Sequence, residues 1–577
     1  MVQERLAYRP SPASAGPPRR AFAAGVAAAV SLIAGCANAA VEPADLVFRG
    51  GLVYTLDPDL PRAAAVAVRG DRIIFVGETD GVQPFVGPNT EVIELGQGML
   101  LPGFHDTHVH PVAGGIETAR CDLSPAETLG ALRTAVSACA TTVQGEWLLG
   151  GGFLLPLFAD GAPSRALLDS LSPGRPAFLT SADGHTAWVN SLALARAGVT
   201  RDTPDPPPDG VIVRTADGEP QGTLRERAME LVAAEVPPPS DTEIRDGLER
   251  GLALARSVGV TTLHEASADE SFLRAYAEAE AEGRLTARVI AAIPVDVDRG
   301  AEQVAELEAL RGMYAGRLLR PVAAKIFLDG VIEGGTAALL EPYADRPGWA
   351  GELALTPDSL DAIVAALDAA GFKIHEHAIG DRAIRVALDA FEAQRARDLG
   401  EGPRHIMAHI QLFDPADLPR MAELGVVASL QPLWFYADSY ITELTEPRVG
   451  PRRSRWLYPA RSLLATGARI AAGSDWPVSS MDPLLAIETA VTRRDPELGP
   501  GPSWLPEERL DLEAAIRAYT LGGAVAGDLE GEVGMITEGR VADLVVLDRD
   551  LFAGPSEAIS DARVSLTVLE GRIVYRR

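Results

Sequence analysis

Through the middle of this 577-residue chain, short apolar runs alternate with amphipathic stretches. The runs are VTTLHEA, ARVIAAIPV, PVAAKIFLD, FKIHEHA, HIMAHI, VVASLQ and RIAAGSD. Between them lie stretches such as DSLDAIVAALDAAG, GDRAIRVALDAFEAQ, DPADLPRMAELG and DPLLAIETAVTRR. A strand buried on both faces reads as an unbroken apolar run, and a surface helix reads with a 3.6-residue period. Strand then helix, repeated about eight times, predicts an α/β fold, a (β/α)8 TIM-type barrel. Such barrels keep their chemistry at the C-terminal ends of the strands.

The chain's metal-ligating side chains fall at those ends. The segment LLPGFHDTHVHP runs into His108 and His110. Residues two apart on a strand share a face, so both imidazoles can reach one point. Two neutral imidazoles there are half of a metal site. Lys325, His377, His409 and Asp475 each end, or nearly end, a later apolar run. Imidazole and carboxylate suit a borderline divalent ion, with zinc the default. One ion would use His108, His110 and Asp475, and a second His377 and His409. Two adjacent cations need an anionic bridge; an ammonium has no acceptor, whereas an N6-carboxylated Lys325 has two. The expected cofactor is therefore one or two divalent ions. They would lower the pKa of a bound water to about 7. Asp475 would take the water's proton and pass it to a leaving nitrogen, which is hydrolysis of a C–N bond.

The two chain ends read differently. DLVFRGGLVYTL, AAAVAVRGDRIIFVG and TEVIELGQGMLLPG near the start, and VADLVVLDRD with ARVSLTVLEGRIVYRR near the end, are short alternating strands split by turns. Neither set makes a stable domain alone. Residues 41–100 and 530–577 are expected to form one composite β-sandwich around the barrel of 101–529. About 150 residues separate His110 from VTTLHEA, where a βα unit takes about 30, so an insertion subdomain is expected at about 115–240. Within it, Gly150–Gly152 reads as a turn.

Residues 1–40 read as an export signal. Arg19 and Arg20 precede AFAAGVAAAVSLIAG, an order like a twin-arginine signal, with a lipobox-like Leu32–Cys36 and an alternative cleavage site at Ala37–Ala39. Periplasmic export follows, either free or lipid-anchored through Cys36. A net charge of -28 argues against nucleic acid or an anionic membrane as partner. Three cysteines exclude a disulfide scaffold and a cysteine-type zinc site. Cys121 and Cys139 either pair or stand as two buried thiols.

Other residues carry weaker signals. His375 shares a strand face with His377 and reads as a support for the ligands or as structural; His105 reads as packing or as a donor to a ligand. His185, in the insertion, and Trp434 and Trp476, after the seventh and eighth strands, are candidates for contacting substrate. His264 is either a pocket residue or a core histidine. Asp381 is expected to cap the next helix or to orient His377.

PGFHDTHVHP, DGHTAWVNSLAL, KIFLDGVIEGGTAALLEPY, HAIGDRAI, AHIQLFDP with SLQP after it, GSDWPV and GRVADLVVLD occur here in that order. Together they resemble the amidohydrolase superfamily, in its family 3 branch. The resemblance implies a (β/α)8 barrel with a composite β-sandwich, a divalent metal and hydrolase activity. It places the ligands at His108, His110, Lys325, His377, His409 and Asp475, with Asp475 also the proton shuttle. The expected activity is hydrolysis of a non-peptide, amide-type C–N bond in a small molecule, by a homo-oligomer if the chain follows similar barrels. A deaminase of the same superfamily is the alternative, although mononuclear deaminases lack the barrel lysine. A non-catalytic exported binding protein is the alternative of another class, and the complete ligand set argues against it.

Overall fold

The computed structural model describes residues 41–397, 404–498 and 501–577. The export signal, the lipobox and Cys36 lie outside them. Pro43–Arg577 forms one unit, and Met1–Glu42 is divided from it.

Eight parallel strands make the barrel: β1 (Phe104–Val109), β2 (Val260–Glu265), β3 (Arg288–Pro294), β4 (Leu319–Phe327), β5 (Lys373–Ala378), β6 (Ile406–His409), β7 (Val427–Leu430) and β8 (Arg469–Ala472). They pair in chain order from β1 to β8. All six residues of β1, β2 and β5 are buried, as strands covered on both faces require. The ring is drawn together beyond the end of β8, where Asp475 N donates to His108 O at 2.7 Å and His110 N to Trp476 O at 3.0 Å. A short helix, Gly523–Ala526, fills the interior: Ala524 and Leu529 pack with Ile290, and Ala526 with Ile406, Val427 and Ala471. The barrel is a packed core rather than a pore.

The chain ends meet in one hydrogen-bonded sheet of eight strands. Met99–Pro102 pairs antiparallel with Leu544–Leu547, which joins the two halves. The first strand, Leu46–Tyr54, pairs in parallel with Glu91–Glu94 along its first half and with Met99–Pro102 along its second. Gly50 and Gly51 permit that change of partner. Gly50 has φ +76°, and a Cβ on Gly51 would lie 2.5 Å from Leu95 Cβ and 2.9 Å from Gly98 O. Phe48, Val66, Val68 and Leu100 from one end share a core with Leu544, Val546 and Val568 from the other. Burial of that shared face is what neither end could achieve separately.

Between β1 and β2 lies a second sheet, of six strands running from Cys121–Asp122 to Pro220–Arg225. Cys121 and Cys139 are paired, with Cα atoms 5.6 Å apart, tying the first of these strands to the helix Leu129–Thr142. The glycine triplet is not a turn. It lies within the strand Leu148–Phe153. Its role is close approach: a Cβ on Gly150 would sit 2.2 Å from Cys121 O, and one on Gly151 2.1 Å from Thr180 Oγ1.

Helix α1 (Pro111–Glu117) starts directly after His110, and helix α2 (Asp241–Ser257) leads towards β2. The two touch backbone to backbone. A Cβ on Gly115 would lie 2.0 Å from Gly247 O, and one on Gly251 2.6 Å from Pro111 O. Gly115→Ala is therefore expected to lower stability by about 3 kcal/mol, because neither backbone has room to give. Gly130→Ala, in open space on the helix Leu129–Thr142, should be neutral or slightly stabilising. Chemical unfolding midpoints compare the two. Metal content per chain should fall with the first and not with the second, since α1 fixes the exit of His110.

Candidate metal centre

All six residues singled out as ligands come together at the C-terminal mouth of the barrel. Asp475 Oδ1 lies 3.3 Å from His110 Nε2 and 3.6 Å from His108 Nε2, and its Oδ2 lies 3.9 Å from His409 Nδ1. Lys325 Nζ is 3.4 Å from His108 Nε2. The His409 ring is 4.5 Å from that of His377 and 4.6 Å from that of His108, between centroids. His108, His110 and Asp475 each offer a ligand atom within 4.8 Å of the others.

Local backbone geometry aims these groups. His377 pairs in register with Ala408, and Ala378 with His409. Cross-strand partners share a face, so simple alternation would send His409 to the face opposite His377. The chain corrects this with left-handed backbone at His409 (φ 75°) and Ile410 (φ 52°), and it does the same at Asp475 (φ 56°). Such conformations persist only where surrounding structure imposes them, and they gather at functional sites. In β1 the pairing with β2 slips between Asp106 and Val109, which re-aims His108.

Further side chains hold the ligands. Asp106 accepts from Ser474 N at 2.9 Å and Ser474 Oγ at 2.5 Å, anchoring the turn that carries Asp475 to β1. His375 Nε2 is 2.8 Å from His108 Nδ1, so His375 supports a candidate ligand. Gln431 Oε1 lies 3.1 Å from His409 Nδ1, and Glu265 Oε1 3.7 Å from His110 Nδ1. Tyr276 Oη donates to Glu265 Oε2 at 2.9 Å. Asp329 fixes the turn between β5 and the helix Asp381–Arg397, its carboxylate accepting Ile379 N, Gly380 N and Ala338 N at 2.8–2.9 Å. Asp381 accepts Leu340 N. Asp329 is too short and too well bonded to have been found from pattern alone.

Protonation follows from burial. Desolvation drives His108 and His377 well below the ordinary imidazole range and His409 down to about 3. Burial lowers Lys325 to about 7, against the pull of Asp475 and Glu376. Burial opposes charge on Asp475, yet the hydrogen bond from His110 holds its carboxyl below the usual range. The same burial opposes charge on His110, which Asp475 and Glu265 raise to about 9. His377 Nε2 is buried with no hydrogen-bond partner among the described residues. Neutral imidazoles, an ionised carboxylate and an orphaned ring nitrogen are donors that a divalent cation takes, and His110 would give up its proton to join them.

A cavity of about 230 Å³ opens above these groups. His185 and Trp434 line it. His185 Nδ1 is 2.8 Å from Glu226 Oε2, and its ring centroid is 5.1 Å from that of His377. Trp434 stacks on His409, 5.7 Å away at an interplanar angle of 5°. Trp476 is not among the lining residues; its indole packs over Gly114, 2.5 Å from where a Cβ would stand. His264 and His105 do not line it either. Their four ring nitrogens are buried without hydrogen-bond partners among the described residues, and His105 abuts Gly523.

Asp106→Ala should release the Ser474 turn, and with it Asp475, while leaving every candidate ligand unsubstituted. The expected result is a 10–100-fold loss of divalent-metal affinity, read by competition with a chelator. Unfolding should show a cost of about 2–3 kcal/mol for the three freed donors, Ser474 N, Ser474 Oγ and His108 N.

The chain matches the model of an amidohydrolase family over residues 91–575. It is 33% identical to protein LONG AFTER FAR-RED 3 of Arabidopsis thaliana, over 92% of each chain. It is 27% identical to N-substituted formamide deformylase of Arthrobacter pascens, over 92% of this chain and 98% of that one. Among solved structures it resembles an uncharacterised metal-dependent hydrolase of Pyrococcus furiosus, with a TM-score of 0.67, 27% identity, and 88% of this chain against 99% of that one. The family match spans the barrel and five of the eight strands of the sheet made from the chain ends, and the chain belongs to the amidohydrolase family, as a metal-dependent hydrolase.

Proposed function

We propose that this protein hydrolyses a non-peptide, amide-type C–N bond in a small molecule, using one or two divalent ions, zinc by default. The observation that carries the reading is the arrangement around Asp475. An ionised carboxylate stands against two imidazoles and faces the cavity, with Lys325 Nζ 3.4 Å from one of those rings. The likeness to a formamide deformylase supports a C–N bond.

His108, His110, His377, His409 and Asp475 would hold the metal. When bound, a divalent cation there polarises a carbonyl and acidifies water. With a pKa near 7, part of Lys325 is a free amine at neutral pH. That is the form able to add carbon dioxide, its nitrogen losing a proton to solvent as the N–C bond forms, and the resulting carbamate would be an anionic metal ligand. Asp475 accepts a proton from the attacking water and delivers it to the leaving nitrogen, so that amide and water become acid and amine. His185, raised to about 9 by Glu226 against the effect of burial, presents a cation to the cavity and suits the substrate's carbonyl oxygen. Trp434 supplies an apolar wall. The paired Cys121 and Cys139 support export to an oxidising compartment.

Metal analysis joined to a screen of N-formyl and N-acyl compounds tests this. The protein should carry one to two divalent ions, and Asp475→Asn should lower kcat by about 10³-fold. Lys325→Ala should lose metal, which a mononuclear deaminase site would not require. Protein without metal that hydrolyses no N-acyl compound after zinc or manganese is added would overturn the reading.

A further inference from the structure

We infer that the substrate carries a positive charge, a protonated amine, on the part remote from the bond that is cut. This rests on the reading above, because it assigns the rest of the same cavity. Apart from Asp475, the ionisable groups lining it include Asp183, Glu333 and Asp438, and no lysine or arginine is among the described lining residues. The carboxylates form one electrostatic group: Asp183 acts on Glu333, and Glu333 on Asp438. Of the imidazoles, His185 offers Asp183 a counter-charge, but it is already paired with Glu226. Arg225, near Asp183, is outside the lining and donates to the carbonyls of Gly334 and Asp160.

Each carboxylate is held in place through one oxygen. Asp183 Oδ1 accepts His185 N at 3.0 Å, Asp438 Oδ1 accepts Ile441 N at 2.8 Å, and Glu333 Oε1 accepts Gln411 Nε2 at 2.6 Å. Asp183 Oδ2 is buried with no partner among the described residues. Burial pushes Asp183 and Glu333 up and raises Asp438 to about 6. Three buried carboxyls that share one imidazole cation, itself paired with Glu226, are costly, and an entering cation relieves that cost. The cation is not a second metal ion. The three do not bring ligand atoms within metal-binding reach of one another, whereas His108, His110 and Asp475 do. Trp434, Tyr436, Tyr440 and Tyr458 line the same cavity. Aromatic faces beside carboxylates are the surroundings that receive an organic ammonium.

Three amides of matched length test the inference on the metal-loaded enzyme. They are N-acetylated linear C4–C6 amines ending in an ammonium, a methyl or a carboxylate. The ammonium compound should exceed the methyl one in kcat/KM by at least about tenfold, with the carboxylate poorest. The preference should collapse in Glu333→Gln/Asp438→Asn, and separately in Asp183→Asn if the double variant does not fold. A second arm needs no turnover: calorimetry with the C4–C6 alkylammonium ions against the matching alcohols, in the zinc-loaded wild type and variants. Selective ammonium binding lost in the variants supports the inference even if no amide is cut, an outcome that would count against the amide reading alone. Preference for the methyl amide, or a preference unchanged by the substitutions, overturns the inference and leaves the amide reading standing.

Discussion

Asp106 is buried in β1, and its carboxylate grips Ser474 by both backbone and side chain. Ser474 precedes Asp475, which in turn donates its backbone N–H to His108 O. One carboxylate thus closes the first strand onto the segment after the last, and positions the acid against the two histidines of the first. The candidate centre depends on that junction, because its six side chains come from five different strands. Asp106 is fully buried, and that burial pushes it up to about 7 despite its hydrogen bonds from Ser474 and His108. In such a setting a hydrogen bond is strong and a lost one is expensive.

The same burial sets the chemistry. Imidazoles in water are half protonated near pH 6.5; here burial keeps most of them neutral, and so able to donate a lone pair. The lysine is moved towards neutrality for the same reason, with no special partner needed. Strain is added where alternation fails. His409 and Asp475 take left-handed backbone that side chains other than glycine rarely adopt, and the fold tolerates it because adjoining strands leave no alternative.

Much of this was legible in the sequence because it is periodic. Continuous apolar runs ending in His, Lys or Asp betray buried parallel strands with ligands at their ends, and His108, Lys325 and His377 follow from strand geometry. His409 was found for a reason the structure complicates, since regular alternation places it on the wrong face. Its strand ends in a kink that no period reveals. Asp106 and Asp329 were missed because carboxylates that bond backbone N–H groups have no spacing rule. Trp476 looked equivalent to Trp434, each soon after a strand, but loop direction alone decides which ring meets the cavity. The glycine triplet read as a turn because glycine marks turns and close strand contacts alike.

The division of labour in the molecule follows from where rigidity comes from. The barrel fixes the reacting groups, whereas the cavity's remaining walls come from the insertion and from loops after β4 and β7. Loops this long would drift unless tied, and a few polar contacts tie them. Glu226, at the end of the insertion's last strand, takes His185 on one oxygen and Thr336 Oγ1, at 2.6 Å, on the other. Tyr440 Oη, from the segment after β7, reaches Leu155 N in the insertion at 3.1 Å. Arg225 spans from the insertion to Gly334. Apart from the His185 contact, these bonds tie the insertion to a loop after a barrel strand. The pocket's floor is the barrel mouth and its walls are these tied loops, so related chains can change the loops, and with them the molecule admitted, while the strands beneath keep the reacting groups in place.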